Sequence, residues 1–118
     1  MINAAHAARF AEEWVAAWNA HDLERVLAHY ADDFEMASPR IADIAGEPSG
    51  ILRGKPAIRA YWKKALQLVP DLRFETLAVL VGAKSVAIHY RSQTGRVAVE
   101  VFDFGPADKV VRASAHYA

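Results

Sequence analysis

The sequence contains no cysteine, so disulfide bonds, thiol nucleophiles and thiolate metal sites are excluded. Neither sign of charge is in excess, because the 14 basic and 14 acidic residues cancel. No segment is rich in lysine and arginine, and we therefore expect no binding to nucleic acid or to an anionic membrane surface. No apolar run approaches the roughly 20 residues of a membrane-spanning helix. Glu12 and Glu13 interrupt the alanine-rich N-terminal segment, unlike a secretory signal. These absences predict a cytoplasmic protein.

The length and composition that remain are those of an ordinary globular domain. The chain has 118 residues, of which 53% are hydrophobic and 24% charged. A chain of this length can form one hydrophobic core without cross-links such as disulfide bonds. Residues 1–118 contain no internal repeat, linker or low-complexity segment, and we expect them to form a single domain.

Apolar side chains at helical spacing predict three helices in the first 70 residues. The first helix carries Phe10, Trp14 and Trp18 on one stripe. The second follows Asp22, which suits an N-cap. The third begins after a turn that places Pro56 at the first helical position.

The segment between the second and third helices predicts a short strand over 34–38, a long loop over 39–50 and a brief strand over 51–53. Proline and glycine are concentrated in the loop, and loops of this length are often functional lids or rims.

From Leu72 onward the apolar pattern changes to a period of two, which is typical of strands. Short turns separate the strands, so an antiparallel meander is expected. The four predicted strands are Arg73–Val81, Ser85–Arg91, Arg96–Phe104 and Val110–Tyr117.

This element order predicts an α+β fold, in which a curved, mostly antiparallel sheet wraps around the three N-terminal helices and forms a conical pocket. Alternation along the third strand of the meander places Val99 and Val101 on one face, with Glu100 and Phe102 on the other. Both faces are largely apolar, and the helices can cover only one of them. We therefore expect a homodimer through the outer sheet face.

Four segments resemble the nuclear transport factor 2-like superfamily, which includes ketosteroid isomerases and SnoaL-type polyketide cyclases. The resemblance covers nearly the whole chain and implies the cystatin-like cone with a central pocket. It implies no particular reaction, because the scaffold hosts unrelated chemistries and plain binding modules. The four segments are Trp18–Leu23 (WNAHDL), Tyr30–Asp33 (YADD), Gly54–Ile58 (GKPAI) and Glu100–Phe104 (EVFDF).

The resemblance to ketosteroid isomerases can be tested at three positions. The position of the proton-abstracting aspartate falls on Ser38, and that of the oxyanion-binding tyrosine falls on Trp14. The position of the buried acid on the penultimate strand falls on Glu100. Of these three positions only Glu100 carries an acid–base group, so steroid isomerisation by that mechanism is not expected.

The same resemblance implies an aromatic, largely apolar cavity wall, suited to a small hydrophobic or aromatic ligand. The two tryptophans of the first helix should make it narrower than a steroid site. Phe102 shares the inner strand face with Glu100 and joins this set. The ligand-pocket residues predicted in this way are Trp14, Trp18, Tyr30, Ser38, Trp62, Phe102, Ala113, Ala115 and Tyr117.

Glu100 lies between two valines in a strand interior. A carboxyl against apolar surface is expensive unless it is paired or protonated, which raises its pKa and makes Glu100 a catalytic candidate. The alternative is a structural carboxylate held by Tyr30, an indole N–H or Arg91.

His89, on the neighbouring strand, is the candidate catalytic partner, because its ordinary pKa suits a general base. An even-residue turn between the strands would place it beside Glu100. An odd-residue turn would place Tyr90 there instead. A cross-strand structural contact is the alternative role for this histidine.

No metal is expected, since the histidines and carboxylates show no ligand spacing. No cofactor is expected either, because proton transfer in a dry, shaped cavity needs none. Arg40 and Arg53 border the long loop and are interpreted as surface charges. The alternative is that they bind an anionic group at the cavity mouth.

The sequence supports two functional hypotheses. One is a cofactor-independent acid–base enzyme acting by isomerisation, cyclisation or dehydration, and the other is a non-catalytic ligand-binding or dimerisation module.

Overall fold

The computed structural model of the protein describes all 118 residues as helices packed on a curved, unclosed six-stranded sheet. This confirms the predicted α+β cone. The helices are α1 (Ala4–Asn19), α2 (Leu23–Leu27), α3 (Pro39–Ala45) and α4 (Lys55–Leu68). The strands are β1 (Tyr30–Ala37), β2 (Ile51–Arg53), β3 (Phe74–Val81), β4 (Ser85–Ser92), β5 (Val97–Phe104) and β6 (Val110–Tyr117).

The strands follow the order β2-β1-β6-β5-β4-β3 across the sheet. The last four form the predicted meander, and each pairs antiparallel with its neighbour. The parallel contact is the one between β1 and β6. Through this contact the last strand of the meander, β6, lies beside β1, the strand that follows α2.

The segment 39–50 differs from the predicted loop, because its first half is the helix α3. The Ser38 side chain accepts a hydrogen bond from the backbone N–H of Arg40 at 3.2 Å and so caps the helix. Gly46, with φ 74°, ends it in the left-handed conformation. Seven residues with one buried side chain, Ile41, are too few to show helical periodicity. The strand before it is also longer than predicted, since it begins at Tyr30 rather than Phe34.

The core lies between the helices and the concave face of the sheet. Phe10 and Trp14 of α1 pack edge-on against Phe102 of β5, with ring centroids 4.9 and 5.2 Å apart. Trp18 of α1 meets Trp62 of α4 at 5.1 Å. These aromatic contacts fix α1 and α4 over the sheet and leave a cavity beside them. None of the helices combines the length and the apolar character that crossing a bilayer requires.

Candidate functional site

A cavity of about 290 Å³ opens between α1, α3, α4 and the concave sheet face. Its volume is at the lower end of the range for small-molecule sites. One wall is aromatic and apolar, with Trp14, Trp18, Trp62 and Phe74. The opposite edge is polar and is formed by Arg40 and by the turn between β4 and β5.

Glu100 is the acidic residue of the lining. It pairs across the sheet with Ile88 and Ala115, and strand alternation turns its side chain onto the concave face. The residue is 4% exposed. Its Oε1 accepts a hydrogen bond from the Tyr90 hydroxyl at 3.4 Å, a long contact.

Burial raises the pKa of Glu100 to about 8, and the hydrogen bond from Tyr90 opposes the rise only in part. At neutral pH the group is therefore mostly a carboxylic acid. Burial also raises the pKa of Tyr90, and the nearby Glu100 adds to that effect. Tyr90 donates its one hydroxyl hydrogen to Glu100, so the hydroxyl of the neutral Glu100 carboxyl is the donor of the pair that can reach a ligand oxygen. It can also pass a proton when Glu100 ionises.

His89 does not face this pair, which corrects its predicted position. The register pairs Arg91 with Val97, leaving the odd number of residues 92–96 in the turn. Val99, the cross-strand partner of His89, lies on the convex face of the sheet, and Tyr90 occupies the concave face instead. The odd-turn alternative is the one that the structure adopts. A structural histidine on the outer face is consistent with this position.

Four of the predicted pocket residues line the cavity: Trp14, Trp18, Trp62 and Tyr117. The indole N–H of Trp14 donates to the Tyr30 hydroxyl at 3.0 Å, whereas the buried indole N–H of Trp18 has no acceptor. Tyr117 stands at the cavity edge, where the Arg40 guanidinium lies 4.4 Å from its ring centroid.

The other predicted pocket residues are buried but do not line the cavity, which corrects the prediction for each of them. Tyr30 is covered by Trp14, Phe34 and Trp62, whose rings fill the space in front of it. Phe102 lies behind Trp14 in the same way. Ser38 is used as the cap of α3. The residues in this group are Tyr30, Ser38, Phe102, Ala113 and Ala115.

The sequence interpretation missed several lining residues, among them Tyr61, Phe74 and Arg96. Tyr61 shares the helical spacing of Ile58 and Trp62, and that spacing was the available signal. Burial raises the pKa of Tyr61 to about 12, although the neighbouring Ser38 hydroxyl lowers it. Arg53, considered alongside Arg40, pairs with Glu35 at 2.5 Å and lies outside the lining.

No cluster of three or more histidine, aspartate or glutamate side chains is arranged to hold a metal ion. The site is therefore an aromatic cavity with one neutral acid, one phenol beside it and two guanidinium groups at its edge.

A family model described as the SnoaL-like domain matches residues 11–115. The crystal structure of a SnoaL-like protein of unknown function from Burkholderia thailandensis is 61% identical, with a TM-score of 0.95 over 99% of this chain and 98% of that one. No curated protein matches the sequence.

Two more distant solved structures share the fold. The epoxide hydrolase/cyclase-like enzyme SalBIII, which acts in pyran ring formation in the polyether salinomycin, is 17% identical. Its TM-score is 0.74, and the match covers 100% of this chain and 95% of that one. TerC, co-crystallised with polyporic acid, is 13% identical with a TM-score of 0.77, over 94% of this chain and 90% of that one.

Proposed function

Because the chain belongs to the SnoaL-like domain family, we propose that its cavity binds a small apolar or cyclic molecule and acts on it by acid–base chemistry without a cofactor. The reaction class is isomerisation, cyclisation or dehydration, since each needs a proton moved within a dry, shaped site. SalBIII, of the same fold, acts in ring formation, which supports this class.

The observation that carries the proposal is Glu100, a carboxyl 4% exposed at a cavity wall with Tyr90 as its hydrogen-bond partner. A purely structural carboxylate would be held by a cation or by several donors. Here the pKa of about 8 lies near neutral pH, where a general acid or base is most effective. Tyr90 positions the carboxyl by donating a hydrogen bond to its Oε1.

A hydrogen–deuterium exchange assay tests the proton transfer directly. The probe is 2-tetralone, a two-ring ketone whose C–H groups beside the carbonyl exchange slowly in D₂O. We expect the protein to accelerate this exchange, as followed by NMR, and Glu100→Gln to reduce the protein-catalysed rate by about 10²-fold or more. Tyr90→Phe should lower it less, because it removes a partner and not the proton carrier.

Two variants control for indirect effects. Glu75→Gln makes the same chemical change at an exposed carboxylate that pairs with Arg91, and exchange should continue at the parent rate. His89→Ala should also leave it unchanged, because the imidazole lies on the convex face. Exchange at the parent rate in Glu100→Gln would reject the acid–base role of Glu100.

A second candidate function is a non-catalytic binding module of the same fold. It is favoured by Ser38 and Trp14, which stand where the resemblance to ketosteroid isomerases places an aspartate and a tyrosine. A rise in thermal stability with 2-tetralone, together with exchange no faster than in buffer, would support the module.

A further inference from the structure

The charged residues of the cavity lining are unevenly distributed. Three side chains of the lining carry a carboxyl or guanidinium group: Glu100, Arg40 and Arg96. Glu100 is buried, whereas Arg40 and Arg96 are exposed and therefore stand where the cavity meets solvent. The polar side chains of Ser92, Gln93 and Thr94 line the same turn as Arg96. The cavity thus has an apolar aromatic body and a cationic, polar edge.

Neither guanidinium at this edge is neutralised by the protein. No ion pair of the structure includes Arg40 or Arg96. Arginines elsewhere on the surface, such as Arg53 and Arg112, are paired with a glutamate, in both cases Glu35. Because burial raises the pKa of Glu100 to about 8, the acid within the cavity does not compensate them at neutral pH. The side chains of the lining therefore carry a net positive charge, although the charged side chains of the whole chain cancel.

Arg40 is also held in place. Its guanidinium lies 4.4 Å from the centroid of the Tyr117 ring, a cation–π distance. Tyr117 belongs to β6 and Arg40 to the first turn of α3, so two separate elements position this cation. A guanidinium fixed at the edge of a cavity can bind a planar anion with two parallel N–H donors.

We propose that the ligand is an amphipathic anion, whose ring body lies against the tryptophans and whose carboxylate or comparable oxyanion is bound by Arg40 with the help of Arg96. This inference rests on the proposed function and narrows its substrate class from apolar molecules to aromatic or cyclic acids. The anionic group would anchor the ligand at the opening, and the ring would extend towards Glu100 and Tyr90.

A matched pair of probes tests the charge alone. 2-Naphthoate and its neutral analogue 2-naphthamide share the same two-ring body, and their affinities are measured by titration calorimetry at pH 7 and low salt. We expect naphthoate to bind at least about tenfold more tightly, as a charge-assisted hydrogen bond would give. Raising the salt from ~20 to ~300 mM should weaken naphthoate binding and leave naphthamide binding nearly unchanged.

Variants then locate the cation. Arg40→Gln should remove most of the preference for naphthoate and leave naphthamide affinity within about twofold, since the lost interaction is charge-assisted. Arg96→Gln should have a smaller effect of the same kind. Arg9→Gln is the matched control, because Arg9 is an exposed, unpaired arginine outside the cavity, and the preference should persist.

The outcomes separate this inference from the proposed function. Equal affinity for the two probes would overturn the inference and leave the cavity as a site for neutral ligands. The same loss for both probes in Arg40→Gln, or an equal loss in Arg9→Gln, would also overturn it. Failure of both probes to bind would overturn the inference together with ligand binding by this cavity.

Discussion

At the scale of single residues, the protein keeps an uncharged acid where an ionised one would be unstable. Glu100 faces Trp14, Trp18 and Trp62 across the cavity and has no cationic neighbour. The ionised form would lose its hydration without gaining an ion pair. The neutral form needs only a few hydrogen bonds, of which Tyr90 supplies one. The buried environment that suits Glu100 to proton transfer therefore also makes the free energy of unfolding depend on whether Glu100 is protonated.

The raised pKa of Glu100 makes the stability of the protein depend on pH. The folded-state pKa of Glu100, about 8, lies above the ordinary value of 4.5. Between these values the folded state holds a proton that the unfolded state releases. The contribution of Glu100 is therefore fully present below about pH 4.5 and is lost as the pH rises through 8. The slope reaches about 1.4 kcal/mol per pH unit.

Comparison with Glu100→Gln isolates this effect, because glutamine does not titrate. From pH 5.5 to 8.5, urea unfolding should show the variant gaining stability relative to the parent. Glu47→Gln is the control, since the backbone N–H of Ser49 lowers the pKa of the Glu47 carboxylate and its difference from the parent should stay flat. A flat difference for Glu100→Gln would contradict the raised pKa.

At the scale of elements, the segment between β1 and β2 positions the cationic edge of the cavity. Its helix α3 carries Arg40, and its return leg, from Gly46 to Gly50, brings the chain back to β1. The return closes on Ser38, whose N–H donates to the Gly50 carbonyl at 2.9 Å. The Ser38 carbonyl accepts from the Ile41 N–H at 3.1 Å and is therefore pinned.

Two glycines of this segment allow a matched test of that closure. Both have positive φ, 74° at Gly46 and 71° at Gly50, so an alanine at either position costs about 1 kcal/mol of backbone strain. A Cβ at Gly46 meets nothing within 4 Å, whereas one at Gly50 comes within 3.1 Å of the pinned Ser38 carbonyl oxygen. We expect Gly50→Ala to lower the free energy of unfolding more than Gly46→Ala does. Equal losses in chemical denaturation would refute the close contact.

Most elements were predictable from the sequence because their patterns are long. The eight-residue strands β3 to β6 alternate clearly, and each lies within one residue of its predicted bounds. The helix α3 was not predictable, since seven residues give too little periodicity. Side-chain facing was predictable for Glu100 but not for His89. A change of one residue in the turn at 92–96 moves His89 from one face to the other.

The cavity lining was harder to predict than the fold for a related reason. Matching positions to a related family identifies which residues face the interior. The size of the neighbouring rings then decides which of these residues line the cavity. The large rings of Trp14 and Trp62 cover Tyr30, and Trp14 covers Phe102. Packing of this kind depends on several side chains at once and leaves no signal in the spacing of any one element.

At the scale of the whole molecule, the sheet has a second face that the helices do not cover. On this convex face the strands β4 and β5 place Ala87 beside Val101 and His89 beside Val99. The row continues to His116 of β6, which pairs with Val99. Val99 and Val101 are apolar residues of β5 on this face, with His89 and His116 on either side of Val99. We propose that two copies of the chain associate through this surface.

A charge introduced at Val99 tests association through that face. By light scattering at micromolar concentration, we expect the parent protein to have twice the 13.0 kDa mass of the chain. Val99→Glu should give the monomer mass, because two symmetry-related carboxylates would be brought together and desolvated. Leu68→Glu, at an exposed position on α4 away from the sheet, should remain dimeric. A parent protein that is already a monomer would reject association through the convex face. A dimeric Val99→Glu would show that the interface lies on another surface.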